Sequence, residues 1–239
     1  MAVPLHLCRR AVLVSGLGMG TSAVLDVALA SAQPSRDDIL VVAIGSDPVG
    51  LEPADNRAEP IGSEIILNVF DSLVAWASDK DAEPEGRLAE RWQVSNEGTR
   101  YSFVLREGVT FHDGTPLDAE AVRFSLERTR QLNPYMRASL DALRVITVTG
   151  PLTLDFELFR PVPFFLSLLA QPQSGIVSPT AVRTMGRDFS AQPVGTGAFR
   201  VDRYVPDVGL TLSRNPTYFR GASRLSYLVY RVIADASTR

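Results

Sequence analysis

The chain has 239 residues, with 24 lysines and arginines against 27 aspartates and glutamates, which gives a net charge of −3. This length is enough for one or two domains with a sizeable core, and the mildly acidic total argues against a nucleic-acid-binding surface, which needs a basic stripe. One cysteine and two histidines exclude an intramolecular disulfide and all but exclude a zinc site of cysteine and histidine. The composition is also too polar for a protein with several membrane spans.

The first 32 residues are predicted to be an export signal. An arginine pair, Arg9-Arg10, precedes a moderately apolar run that ends in small residues matching the small-x-small cleavage rule. We expect cleavage after Ala32, so that the mature chain begins at Gln33. An N-terminal membrane anchor is the alternative, but Asp26 and the glycines of the run make it a poor hydrocarbon span. The arginine pair suggests the twin-arginine route, while Sec signals also begin with basic residues.

The mature chain opens with three predicted elements. An apolar, β-rich run predicts a buried strand over 38–44. Prolines and glycines interrupt the next segment, so a long irregular loop is predicted over 45–60. Apolar residues at helical spacing then predict a helix over 61–70. Loops of this length inside compact domains are often functional.

A series of hairpins is predicted next. Apolar and polar residues alternate over 101–106 and, most clearly, over 152–158, which predicts strands with one packed face. Turn residues separate short strands that are expected at 92–95 and at 109–111. Between these strands, Asp118 is expected to cap a helix that runs to about Leu132.

The remaining elements are short. We expect two helices, a hairpin and a final strand: helices within 161–170 and over 179–186, hairpin strands over 199–204 and 210–213, and a strand over 227–233. The whole pattern predicts a mixed α and β chain with mostly antiparallel strands.

Catalytic and metal-binding motifs are not found in the sequence. His112 is the single histidine of the mature chain and lies in a tight turn, so we expect a structural or solvated role for it. A Gly-x-Ser-x-Gly elbow and a His-Glu-x-x-His motif are both lacking. The Gly-Thr-Gly segment at 195–197 has neither the third glycine nor the following helix of a phosphate loop. The acidic residues over 79–85 place Pro84 where a calcium loop needs glycine. We therefore expect no enzyme activity, no cofactor and no metal.

Four arginines on and after the predicted helix suggest an anion-binding face as one interpretation. Three of them do not share one helical stripe, so a solvated face is expected. The four residues are Arg123, Arg128, Arg130 and Arg137.

Several segments taken together resemble one protein family. They include Leu88-Ala89-Glu90-Arg91-Trp92, the segments 95–99, 101–117, 118–128, 193–199 and 214–221, and the end of the chain over 231–239. This set resembles family 5 of the extracellular solute-binding proteins of ABC importers, which handle dipeptides, oligopeptides, nickel and related solutes. The resemblance covers the whole mature chain in order, and the predicted signal peptide agrees with it independently.

The resemblance implies a mixed α/β fold, namely a class II periplasmic-binding-protein-like first lobe with an extra, mostly antiparallel α+β domain. Residues 33–69 and 193–239 would form the ligand-side domain of that lobe, incomplete and discontinuous, and residues 70–192 would form the extra domain. Members of the family are considerably longer and hold their solute between two lobes. By analogy, this chain is an N-terminal part whose second lobe is missing, and we expect weak or no solute binding from it.

The resemblance also implies a site for the solute. In the family, the irregular loop after the first strand lines the cleft, and this loop corresponds to residues 50–57. Asn56 and Arg57 are the leading candidates, Arg57 for a carboxylate, and Ala54 and Asp55 lie beside them. The alternative is that Asn56 and Arg57 simply face water. The acidic group that grips a peptide α-amine in relatives would lie on the missing lobe.

The implied function is that of a periplasmic protein that delivers a peptide or another small solute to an ABC permease in the inner membrane. Such a protein is not an enzyme and has no nucleic-acid partner. Two alternatives stay open. One is a secreted hydrolase, which would have to use His112, and the other is an interaction domain without a transport role, whose unpaired cleft face would expose apolar surface.

Overall fold

The computed structural model describes residues 38–76 and 84–235 of the chain. The predicted signal peptide and most of the acidic segment over 79–85 lie outside these described residues. Among the residues that are described, no helix combines the length and the apolar character that a membrane crossing requires.

The described part of the chain forms ten strands and five α-helices, which alternate irregularly along the sequence. In chain order they are β1 (Ile39–Ile44), α1 (Pro60–Val69), β2 (Val74–Trp76), β3 (Pro84–Gly86), β4 (Ala89–Ser95), β5 (Arg100–Leu105), α2 (Ala119–Leu132), α3 (Pro134–Ser139), β6 (Leu143–Gly150), β7 (Thr153–Leu158), α4 (Phe165–Leu169), α5 (Pro179–Met185), β8 (Phe199–Val205), β9 (Gly209–Arg214) and β10 (Tyr227–Val232). Short 3₁₀ turns lie at Asn96–Gly98, Pro172–Ser174 and Gly186–Ser190.

The first sheet joins the two ends of the described chain. Its strand order is β1-β10-β9-β8, in which β1 runs parallel to β10 and the other pairs are antiparallel. Leu212, Leu228 and Tyr230 on one face are buried against Ile65 and Val69 of α1. The periodicity of α1 therefore places its apolar stripe on this sheet, as the spacing of its apolar residues predicts.

The second sheet is built from one stretch of chain. Its order is β4-β5-β7-β6, and every pair of neighbours is antiparallel. Phe103 of β5 lies 5.2 Å from Phe156 of β7, ring centroid to centroid, and Phe156 lies 5.8 Å from Phe165 of α4. Both ring pairs meet edge to face, the arrangement that aromatic quadrupoles favour. Helix α2 adds Val122 and Leu126 to the same core. The strands predicted from alternation at 101–106 and 152–158 are thus confirmed.

Other predicted elements differ from the structure for identifiable reasons. The strand expected at 109–111 is wrong, because this segment makes a single isolated bridge, Thr110 to Pro116, that closes a tight turn. Helix α3 was not predicted, since Asn133-Pro134 looks like a plain helix stop. Asn133 instead ends α2 and also caps α3, with its Oδ1 accepting from the backbone N–H groups of Tyr135 and Met136.

A strap over residues 193–197 carries the chain back towards the first sheet. The Gly197 N–H donates to the carbonyl of Val69 at 2.9 Å, at the end of α1. A Cβ on Gly195 would lie 2.2 Å from the Val69 oxygen and 2.6 Å from a ring carbon of Phe70. The glycines of the Gly-Thr-Gly segment are therefore required by close backbone packing.

Candidate functional site

The loop between β1 and α1 lies at the carboxyl end of the parallel strand pair. Because β1 and β10 are parallel, their carboxyl ends share one edge of the first sheet. The Ile233 N–H, just after β10, donates to the carbonyl of Ile44 at the end of β1. Ligand sites of open α/β sheets lie outside this edge, so the loop over 45–59 has the right position for binding.

The four predicted site residues lie together in this loop but differ in exposure. Ala54 and Asn56 are buried, with 4% and 0% of their surface accessible, whereas Asp55 and Arg57 are exposed. Within residues 38–76 and 84–235, the Arg57 guanidinium has no ion-pair partner. Asp55 and Arg57 are therefore the two members of the set whose charges a solute can reach.

Asn56 ties the loop to the elements around it. Its Oδ1 accepts from the Ala58 N–H at 2.9 Å and from Gln173 Nε2 at 2.8 Å, and Ser63 Oγ lies at 3.3 Å. Since a backbone N–H can only donate, these contacts establish which end of the carboxamide is oxygen. Asn133 Nδ2 donates to the Asn56 carbonyl at 2.6 Å. The contacts of Asn56 thus hold the loop against α1, the α2–α3 corner and the Pro172–Ser174 turn.

Glu52 anchors the other side of the loop through a residue pair that sequence reasoning missed. The Glu52 carboxylate is 2% exposed and receives two hydrogen bonds from Arg128, Nη1 to Oε2 at 2.6 Å and Nη2 to Oε1 at 3.0 Å. The Arg128 guanidinium also lies 5.7 Å from the centroid of the Phe189 ring. Such a bidentate pair is strong and directional.

The expectation of a solvated arginine face is wrong for Arg128. Its side chain is only 17% exposed, whereas that of Arg123, five residues earlier on the same helix, is 42% exposed and pairs with Glu120. The sequence offers no signal for the buried pair, because Glu52 and Arg128 are 76 residues apart.

A second buried carboxylate lies outside the predicted site. Asp71 is 6% exposed, and its oxygens accept from Thr196 Oγ1 at 2.8 Å and from the Tyr218 hydroxyl at 2.9 Å. Burial raises the pKa of Asp71 above its usual value, although these hydrogen bonds and the Arg87 charge work in the opposite direction. Burial, and after it the Asp71 carboxylate, raise the pKa of Tyr218 above its usual value. This cluster connects the strap to the chain that follows α1.

His112 connects the 111–116 turn to the same strap. Its Nε2 lies 3.0 Å from the Gly197 carbonyl, and its Nδ1 accepts from the Gly195 N–H at 3.4 Å, so the proton is on Nε2. Burial lowers the pKa of His112 to about 4, which keeps the ring neutral at pH 7. Both ring nitrogens are bonded to backbone groups, so this imidazole is not available as the base of a hydrolase. The described residues also contain no group of three or more metal-ligating side chains suited to an ion.

Comparison with known proteins identifies a family and relatives of similar sequence and fold. The profile of the bacterial extracellular solute-binding proteins, family 5, matches residues 83–239. The glutathione-binding protein GsiB of Salmonella paratyphi A is 28% identical over 229 residues, which are 95% of this chain and 43% of that protein.

Two solved structures are similar in fold. The binding protein MoaA from A. tumefaciens R10, in complex with mannopinic acid, superposes with a TM-score of 0.80 at 28% identity, covering 84% of this chain and 42% of that one. The periplasmic binding protein DppA of Helicobacter pylori, in complex with the peptide STSA, gives 0.76 at 27% identity, with coverage of 84% and 44%. The predicted periplasmic-binding-protein-like fold is therefore confirmed. The chain spans less than half the length of these relatives.

Proposed function

Since the chain belongs to family 5 of the bacterial extracellular solute-binding proteins, we propose that it acts as the extracytoplasmic solute-binding component of an ABC importer. The observation that carries this proposal is the match of residues 83–239 to the family. Relatives described as binding glutathione, the peptide STSA and mannopinic acid make a peptide or a similar small, charged molecule the best candidate for the solute. The partner that would receive the solute is a permease in the inner membrane.

The solute would meet the loop at Asp55 and Arg57. A free guanidinium can hold a carboxylate through two parallel hydrogen bonds, and the Asp55 carboxylate can accept from an ammonium group. The two opposite charges, two residues apart, suit a solute that carries both groups, as a peptide does. The buried contacts of Asn56 support this role, because a loop that is already ordered loses little entropy on binding.

A titration followed by amide NMR shifts tests this function on the chain from Gln33 onwards. Glutathione and the tetrapeptide Ser-Thr-Ser-Ala, each raised to millimolar concentration, are expected to shift the amides of Asp55 and Arg57. We expect millimolar affinity, because a loop on one sheet contacts one side of a solute. Arg57→Ala should weaken binding about tenfold or more, the effect of one hydrogen bond to a charged group.

The matched control is Arg123→Ala, which removes an exposed arginine far along the chain and should leave the shifts as they are. If neither peptide moves any amide of residues 50–59 at millimolar concentration, the proposed binding site is wrong.

We also propose that the first 32 residues export the chain to the periplasm. The arginine pair, the apolar run and the small residues before Gln33 support this. Fused to a phosphatase that is active only after export, residues 1–40 should yield activity and a shortened product. Loss of export on replacing Arg9 and Arg10 by lysine would indicate the twin-arginine route, and an unshortened product would indicate an anchor instead.

The division into two domains is likewise a proposal. Residues 33–69 with 193–239 would form the ligand-side domain, and residues 70–192 the extra domain. The strand membership of the two sheets supports this division, because β1, β8, β9 and β10 fall in the first set and β4 to β7 in the second. Limited proteolysis should cut first near Ala191 and Gln192, which are exposed, if the second boundary is right.

A further inference from the structure

The loop over 50–59 carries four charged side chains, and two of them already interact with other groups of the protein. Glu59 caps α1, with its carboxylate oxygens accepting from the N–H groups of Ile61 at 2.9 Å and Gly62 at 2.6 Å. Glu52 is neutralised by Arg128 inside the protein. Asp55 and Arg57 remain as the charges that the loop presents to solvent.

Arg128 is fixed more firmly than an ordinary surface arginine. It belongs to α2, a helix of 14 residues whose buried side chains Val122 and Leu126 pack in the core of the second sheet. Its guanidinium is held on one side by the Glu52 carboxylate and covered on the other by the Phe189 ring. Through Arg128, helix α2 therefore sets the position and the direction of the Glu52 side chain.

The fixed Glu52 in turn shapes the exposed part of the loop. Its backbone carbonyl accepts from the N–H groups of Asp55 at 3.2 Å and Asn56 at 3.1 Å, which closes the turn. Ser190 Oγ lies 2.9 Å from Glu52 Oε1 and 2.8 Å from Asp55 Oδ2. The Ser190 hydroxyl, which has one proton to donate, thus lies within hydrogen-bond distance of both the buried carboxylate and the exposed one.

We propose that Arg128 is a positioning residue for solute recognition, which holds Glu52 so that the turn presents Asp55 and Arg57 in one arrangement to a zwitterionic solute. This inference rests on the proposed function of the loop. A buried ion pair is often no gain for stability over an apolar pair, so a role in local geometry accounts better for its presence between a loop and a helix.

Hydrogen exchange of backbone amides tests the inference without any solute. In Arg128→Met, the amides of Asp55 and Asn56 should exchange about tenfold faster or more, because the turn they close loses its anchor. The amide of Ser63, which donates to the Glu59 carbonyl within α1, should be unchanged. Arg123→Met, which breaks an exposed pair on the same helix, should change none of these rates.

Two further variants separate positioning from stability. Arg128→Lys keeps the charge and lets the chain fold, yet it cannot make the two parallel hydrogen bonds, so the same two amides should still exchange faster. Glu52→Gln combined with Arg128→Met removes both charges and should recover the melting temperature, while fast exchange at Asp55 and Asn56 persists.

Solute binding gives the second readout. Glutathione affinity should fall about tenfold in Arg128→Lys and stay unchanged in Arg123→Met. Unchanged exchange at Asp55 and Asn56 in Arg128→Met would overturn the inference. Faster exchange together with an undiminished glutathione affinity would also overturn it, whereas a wild-type chain that binds no peptide would instead refute the proposed function.

Discussion

The two sheets bury their apolar surface in different ways. The second sheet pairs strands that are near in sequence and closes its core with three aromatic rings, Phe103, Phe156 and Phe165. The first sheet pairs β1 with β10 from the far end of the described chain and buries only the face that α1 covers. On its other face Val41 is 54% exposed.

The first sheet lines an open cleft. It has a volume of about 640 Å³ and lies along β8, β9 and β10 of the first sheet. Its lining includes Arg203, Thr211, Val229 and Arg231. The second sheet is formed within residues 89–158, whereas the first sheet depends on pairing between distant parts of the chain.

Phe156→Ala should cause the largest loss of stability. The side chain is fully buried between two other aromatic rings, so its removal leaves a cavity that costs about 3–5 kcal/mol in the free energy of unfolding. Chemical denaturation measures this loss. The matched control is Phe159→Ala, since Phe159 is 69% exposed and should cost little. Equal losses at the two positions would contradict the aromatic core.

Gly195→Ala tests the strap that connects the two regions. The added methyl group would meet the Val69 carbonyl at 2.2 Å, and backbone there cannot move without disturbing α1. We expect a loss of about 3 kcal/mol in unfolding free energy, measured by denaturation. Gly114→Ala is the comparison, because the added methyl group would meet nothing within 4 Å. Its only cost is the backbone strain of an alanine at a φ of 83°. It should cost about 1 kcal/mol.

The buried His112 side chain should make the stability of the protein depend on pH. Burial lowers the pKa of His112 in the folded protein to about 4, below the ordinary value of 6.5, and the nearby Arg200 charge acts in the same direction while Asp113 opposes it. Between pH 6.5 and 4, His112 therefore binds a proton in the unfolded chain but stays neutral in the folded protein. Stability falls as pH drops from 6.5 towards 4, by on the order of 2–3 kcal/mol in total.

His112→Gln isolates this effect. The glutamine can still donate to the Gly197 carbonyl but does not titrate, so its denaturation midpoint should fall less than that of the wild type between pH 6.5 and 4.5. At pH 7 the variant should be somewhat less stable, because the contact with the Gly195 N–H is weakened. Parallel pH curves for the two proteins would show that His112 does not cause the dependence.

Val41→Thr should have the smallest effect. Because the Val41 side chain is more than half exposed, we expect a change within about 0.5 kcal/mol. Leu212→Ala on the opposite face of the same sheet should cost about 2–5 kcal/mol, since Leu212 is fully buried beside α1. Denaturation of both variants measures the difference between the faces, and a large loss at Val41 would mean that its face is covered in solution.

Local patterns predicted the elements that carry their own signal. Helix α2 begins where Asp118 caps it, with Asp118 Oδ1 accepting from the Ala121 N–H at 2.7 Å, and β7 follows the period-2 alternation of its residues. Strand β6 was not predicted, because its pairing with β7 shifts register twice and blurs the alternation. The irregular loop after β1 was expected from its prolines and glycines, and the structure has it there.

Local sequence patterns predicted the candidate loop over 50–59 but not the contacts of its side chains. Its position after the first strand and the presence of Asn56 and Arg57 came from the sequence and the family resemblance, and their binding role stays a prediction. That Asn56 has no accessible surface, and that Glu52 is held by Arg128, depends on partners far away in the chain.

The sequence by itself determined the family, the kind of fold and the elements whose periodicity or caps are local, because these depend on neighbours within a few residues. Only the tertiary structure decided which charges of the loop stay free and which are neutralised. The reason is physical: burial of a side chain and the pairing of its charge depend on what the fold brings within hydrogen-bond distance, and for Glu52 that partner is 76 residues away.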